Sequence, residues 1–176
     1  MVRVLILSTL AVTLLAGCVT ASSFPEVDVA KAAGELVGQV ESEIYTEEVV
    51  LRRVSIGTRG CTNGLDVDID GAYYLYAEFV IEADFDVTAQ KEFMKSIHAH
   101  FVESGYDIQS DDIDYIWASD PHGSLYRIFP RDDPRFIKFS VTSTCYADDD
   151  YDSVDISDMD FGGPSDPELD HAGNDG

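Results

Sequence analysis

One N-terminal stretch decides which part of this chain is free to fold. Residues 4–15 form a twelve-residue run without a charged side chain, Arg3 precedes it, and Ala16, Gly17 and Cys18 come directly after it. As a helix such a run is about 18 Å long, at ~1.5 Å per residue, whereas the hydrocarbon core of a bilayer is ~30 Å thick. It is too short for a conventional transmembrane span. A basic start, a short apolar centre and a small-residue end are instead the three parts of a secretory signal peptide. The fold must then be built from the residues after Cys18, which are enough chain for one domain and too few for two. Hydrophobic residues make up 45% of the chain and aromatics 11%, so a packed core is within reach and wholesale disorder is excluded.

The end of that run, Leu15-Ala16-Gly17-Cys18, resembles the lipobox of bacterial lipoproteins at all four positions. The resemblance implies diacylglycerol on the Cys18 sulfur and cleavage just before it. Residues 1–17 would then be a signal peptide, residues 18–25 a lipidated tether, and the protein would sit on the outer face of the cytoplasmic membrane. An ordinary secretory signal with a chance cysteine is the competing reading. Position 19 is Val rather than Asp, so no inner-membrane retention signal is present should the host have two membranes. Two acyl chains anchor stably where one is marginal. Outside the cytoplasm Cys61 and Cys145 are the remaining cysteines, and a disulfide between them is the default, with two free thiols as the alternative.

Charge narrows the partners. The chain has 34 Asp+Glu against 11 Lys+Arg, a net charge of −23, and cleavage before Cys18 would remove Arg3 and leave −24. A polyanionic backbone would be repelled, so nucleic acid is excluded as a partner.

Periodicity gives the architecture. Val29, Ala33, Leu36, Val37, Val40 and Ile44 predict an amphipathic helix that Gly34 and Gly38 weaken. Residues 49–56 are β-branched enough for a strand, and residues 57–71, with four glycines, Asn63 and three Asp, read as a loop. Tyr73, Leu75, Ala77, Phe79 and Ile81 alternate with Tyr74, Tyr76, Glu78, Val80 and Glu82, which predicts a strand with one apolar face. Asp86 or Thr88 can cap a second helix carrying the stripe Phe93, Met94, Ile97 and Phe101, with Gly105 placed to end it. Residues 106–117, 124–129 and 136–145 predict three further strands, and the shared parity of Ile137, Phe139, Val141 and Cys145 puts that cysteine on the buried side.

Two helix-then-strand units in series suggest an α+β two-layer sandwich over residues 26–146, an antiparallel sheet of about five strands with two helices on one face. Residues 147–176 hold eleven acidic side chains and no Lys or Arg, which predicts an acidic disordered tail; the alternative is an extra packed element anchored by Tyr151, Val154, Ile156, Met159 and Phe161. A lipobox followed by helix and strands, with one cysteine near the first strand and another ending the last, resembles the small surface lipoproteins of high-GC Gram-positive bacteria. Most of those lack an assigned activity, so the resemblance implies location and fold rather than mechanism.

Three clusters are candidates for chemistry. Asp66, Asp68, Asp70 and Gly71 match the first half of a calcium loop, but its twelfth position is Ala77 and Glu78 comes one residue late, so a solvated acidic turn with weak or no calcium binding is expected. Tyr74, Tyr76, Trp117 and Tyr126 could form an aromatic surface on the helix-free face of the sheet, although strand residues facing a second layer or a dimer partner would look the same. Arg127, Arg131, Arg135 and Lys138 crowd one hairpin, where they could bind an anionic ligand or wall polymer, or merely offset Asp132 and Asp133. His98 and His100 lie about 200° apart around a helix and cannot share a metal. No HExxH, CxxC, GxSxG or phosphate-cradling loop occurs. The leading expectation is a non-enzymatic, lipid-anchored domain that needs no cofactor and binds a protein, wall component or small ligand. A calcium-dependent surface module is the alternative, and an enzyme with an unrecognised site comes third.

Overall fold

The apolar stripes of two helices and the apolar face of the central strand close on one another. The computed structural model describes residues 20–44, 49–110, 112, 114–157 and 159. Helix α1 (Val29–Ile44) buries Val29, Ala32, Ala33, Leu36, Val37, Val40 and Ile44. Asp28 starts it, its Oδ1 accepting the Lys31 N–H at 2.9 Å. Helix α2 (Val87–Glu103) is capped by Asp86, whose Oδ1 accepts the N–H groups of Thr88 and Ala89, both at 2.8 Å. Gly105, at φ +79°, ends that segment in the left-handed region.

Both helices cover one face of an antiparallel sheet, so the α+β sandwich is the observed architecture. Its strands are β1 (Val50–Thr62), β2 (Asp68–Glu82), β3 (Asp107–Ile108), β4 (Ile116–Ser119), β5 (Leu125–Pro130), β6 (Phe136–Thr142) and β7 (Tyr146–Ala147). The order is β1-β2-β6-β5-β4-β3, with the two-residue β7 pairing beside the N-terminal part of β2. Tyr73, Leu75, Ala77, Phe79 and Ile81 of β2 all face the helices and are buried, together with Ile137, Phe139 and Val141 of β6 and Tyr126 and Ile128 of β5. The alternation in sequence is thus the alternation in burial.

Several boundaries differ from expectation, each for a physical reason. Residues 57–71 are largely strand, with only residues 63–67 left as the hairpin turn. Two glycines that suggested a loop have other uses. A Cβ on Gly57 would stand 2.6 Å from the Tyr76 hydroxyl oxygen, so glycine there admits a ring, and Gly71, at φ +70°, sits where the β1–β2 register shifts. Residues 106–117 are two short strands because Ser110 and Asp112 turn the chain between them: Ser110 Oγ accepts the Asp112 N–H and Asp112 Oδ1 accepts the Asp114 N–H. Strand β6 stops at Thr142 because the next ladder position is taken by a side chain, Ser143 Oγ accepting the Leu75 N–H at 2.9 Å. Cys145 therefore leaves the helix-facing parity and packs beside Cys61, Ile69, Ala72 and Phe24 in a second, smaller cluster. The disulfide itself is formed, Cys61 to Cys145, with Cα atoms 6.3 Å apart.

The domain is also longer than residues 26–146. At its start, residues 20–25 do not form a free tether: the chain makes a 3₁₀ turn at Ala21–Ser23, and Pro25 C=O accepts the Ala147 N–H at 2.8 Å. At its end, Tyr151 stacks on Tyr73 with ring centroids 5.4 Å apart, Ile156 is only 2% exposed, and Met159 C=O accepts an Arg53 Nη2–H at 2.9 Å. The acidic residues of that stretch are interleaved with apolar ones, and it is the apolar ones that dock. Residues 160–176 of the expected tail, and Cys18 with the lipobox, lie outside the described residues.

Candidate functional site on the helix-free face of the sheet

Strand pairing defines the uncovered face row by row. Arg59 is opposite Tyr74; Gly57, Tyr76, Thr142 and Leu125 form the next row across β1, β2, β6 and β5; Ser55, Glu78, Ser140 and Arg127 form the one after, which Trp117 extends onto β4. Across β1, β2, β6 and β5 this face carries Arg52, Arg59, Arg127 and Lys138 against Glu78 and Glu82, so it holds four of the chain's 11 bases and two of its 34 acids. Everywhere else acid dominates.

Two of the four bases are neutralised in place. Lys138 Nζ meets Glu78 Oε1 at 2.8 Å, and Arg52 Nε meets Glu82 Oε2 at 2.8 Å. Arg59 and Arg127 are exposed, and each lies over an aromatic ring: Arg59 is 4.8 Å from the Tyr76 centroid and Arg127 is 5.3 Å from that of Trp117. Neither has a carboxylate within ion-pair distance among the described residues. Between them runs a trough of about 290 Å³ lined by Arg59, Tyr74, Tyr76, Ser140, Thr142 and Arg127. A second hollow of about 500 Å³, lined by Arg52, Val80, Glu82, Phe136 and the Arg131–Asp133 turn, opens at the other end of the same face.

The structure places the expected site residues in different locations. Tyr74, Tyr76 and Trp117 share the open face, but Tyr126 does not. Tyr126 is fully buried under α2, edge-on to Phe101 and Tyr106, and burial pushes its hydroxyl far above the usual tyrosine range. The cue lies in the strand's own parity, since Arg127 facing solvent requires Tyr126 to face the core. Of the basic hairpin, Arg135 pairs with Asp133 at 2.6 Å and Lys138 with Glu78, which leaves Arg127 as the member that points into the trough unpaired. Sequence patterning misses Arg59, Ser140 and Thr142, because their place emerges only from the pairing of β1 and β6 with β2.

The acidic segment spans a hairpin turn and a strand rather than one loop. Asp66 sits in the hairpin turn at φ +56°, while Asp68 and Asp70 are exposed on β2 to either side of the buried Ile69. Extended chain puts alternate residues ~6.6 Å apart along a strand instead of wrapping them around a centre. Among the described residues no three His, Cys, Asp or Glu side chains converge in a metal-ligand group. His100 braces the two helices instead, its Nε2 2.5 Å from Glu43 Oε2. Close by, Tyr106 is pushed up to about 12 by burial.

No protein-family model matches the chain, and neither the curated proteins nor the solved structures include a match.

Proposed function

We propose that this protein is a lipid-anchored lipoprotein of the outer face of the cytoplasmic membrane that works by binding, without catalysis, through the helix-free face of its sheet. The observation that carries the binding reading is that this face, half-buried and rich in Tyr and Trp, concentrates unpaired guanidinium groups in a molecule that is otherwise strongly acidic. Aromatic and arginine side chains are the ones that binding surfaces favour. Binding rather than turnover is supported by the lining of the trough, hydroxyls and guanidinium groups beside a Glu78 already paired with Lys138, since catalysis calls for a poised acid, base or nucleophile. The Leu15-Ala16-Gly17-Cys18 sequence supports the lipid anchor, and a formed Cys61–Cys145 bridge suits an oxidising compartment. The attachment would be short, because only Val19 and Thr20 separate Cys18 from Ala21, which packs against the Cys61–Cys145 cluster.

The test is site-specific photo-crosslinking in cells, with the crosslinker at Ser140 on the open face or at Lys91 on the exposed side of α2. Adducts of any size from position 140 and none from position 91 are expected. Equal capture from both positions, or none from 140, overturns the reading. For the anchor, intact mass of membrane-extracted protein should show acylation at Cys18, and an unmodified N-terminus removes that part of the proposal.

A further inference from the structure

Arg59 and Arg127 pose a chemical question that the rest of the molecule does not answer. Acids outnumber bases 34 to 11, and the neighbouring Arg52 and Lys138 both have carboxylate partners, yet these two guanidinium groups have none among the described residues. Their positions are nonetheless constrained. Each is laid over a ring, and Gly57 is what lets the Tyr76 ring lie beneath Arg59. A guanidinium held over a ring by cation–π attraction still has N–H donors free on its outer side, the fork that matches a carboxylate or a phosphate.

The spacing of the two forks sets the shape of what they hold. Strands β1 and β5 are separated by β2 and β6, three steps of ~4.8 Å or about 14 Å across the sheet, and Arg127 stands two rows, ~13 Å, farther along the strands than Arg59, so their backbones are about 19 Å apart while both side chains line the same trough. Its floor supplies four hydroxyls, from Tyr74, Tyr76, Ser140 and Thr142. Glu78 also borders the trough, but its charge is engaged by Lys138. A long polyanion would feel the −23 of the whole molecule on approach, whereas a short ligand lies within a Debye length of ~8 Å of the two bases. Resting on the binding reading above, we propose that the trough takes a small linear ligand with an anionic oxygen group, carboxylate or phosphate, at each end. One end sits at Arg59 and the other at Arg127, and the spine crosses the four hydroxyls.

Trp117 is the chain's single tryptophan and lies under Arg127, so its fluorescence reports on occupancy of that end. The purified full-length protein is titrated at constant ionic strength with glutarate, adipate and suberate, with the bisphosphonates of matching length, and with acetate. One dianion should give a saturable change at least tenfold tighter than acetate, and the better of the two series identifies the head group. Arg59→Gln and Arg127→Gln should each weaken it at least tenfold, while Arg135→Gln, whose side chain is committed to Asp133, should not. All three side chains are exposed, so unchanged melting temperatures confirm intact folds. Dianions no tighter than acetate, affinity that survives Arg59→Gln, or equal weakening by Arg135→Gln overturns the proposal. If dianions fail while position 140 still crosslinks to a partner, the anion clamp is wrong and the binding face stands; if position 140 captures nothing, the binding reading itself falls.

Discussion

The two faces of β2 share one backbone and one set of ladder hydrogen bonds, yet they do different work. Tyr73, Leu75, Ala77, Phe79 and Ile81 are sealed under α1, α2 and the segment around Ile156, while Tyr76, Glu78, Val80 and Glu82 remain half-buried without a described second layer and Tyr74 packs, at one end of that face, against the small Cys61–Cys145 cluster. The inner set is uniformly apolar apart from one tyrosine, whose hydroxyl donates to Val27 C=O at 2.8 Å. The outer set mixes rings, charges and a valine. A face that only had to stay soluble would be served by Lys, Glu and Thr, so the aromatic rings there are what favours the proposed binding role.

The largest expected effect separates the faces directly. Phe79 is 2% exposed and packs against Phe139 with ring centroids 5.8 Å apart, so Phe79→Ala should cost about 3–5 kcal/mol of stability. Val80→Ala, one face over on the same strand, should cost no more than ~1 kcal/mol because little is sealed from water there. Urea unfolding monitored by circular dichroism measures both. Equal costs would mean that the outer face is packed against something in the isolated protein, and the contrast between the faces would collapse.

The C-terminal stretch sharpens it next. Ile156 helps to close the inner face, so Ile156→Ala should destabilise by about 2–4 kcal/mol, and backbone amides near Ile156 should be protected from hydrogen exchange. A neutral substitution with rapid exchange would restore the disordered tail that the composition suggests.

That stretch shows what the sequence makes legible and what it hides. The helices and β2 are readable because one period governs each over many residues: Leu36, Val37 and Val40 in α1, or Leu75 through Ile81 in β2. Composition misleads over residues 148–159 because an average over charges outweighs four visible apolar anchors, Tyr151, Val154, Ile156 and Met159, whose docking depends on a preformed surface that the segment's own sequence does not show. The disulfide is legible from cysteine count and compartment, but the face of Cys145 is not, because Ser143 Oγ interrupts the ladder and ends the parity. For the trough, the rings of Tyr74, Tyr76 and Trp117 are visible as aromatic spacing. Arg59 is not, since nothing in a single strand tells which residue will stand opposite Tyr74.

The smallest effects come from two glycines, one in each layer, and they should differ in kind. Gly38 lies in the exposed middle of α1 with nothing within 4 Å of where a Cβ would stand, so Gly38→Ala should stabilise the protein by about 0.5–1 kcal/mol through helix propensity alone and leave dianion binding untouched. Gly57 lies on the open face, where the atoms a new Cβ would strike are the Oη, Cζ and Cε1 of Tyr76 at 2.6–2.9 Å. Those atoms are the far end of a side chain that can swing outward, so Gly57→Ala should cost no more than ~1 kcal/mol despite the short contacts. The swing, however, takes the ring from beneath Arg59 and releases that guanidinium from its fixed orientation. Dianion affinity should therefore fall severalfold in a protein whose melting temperature has barely moved. A Gly57→Ala variant that bound as tightly as the parent would show that the Tyr76 stack does not orient Arg59, and the trough would then be two independent charges on a surface.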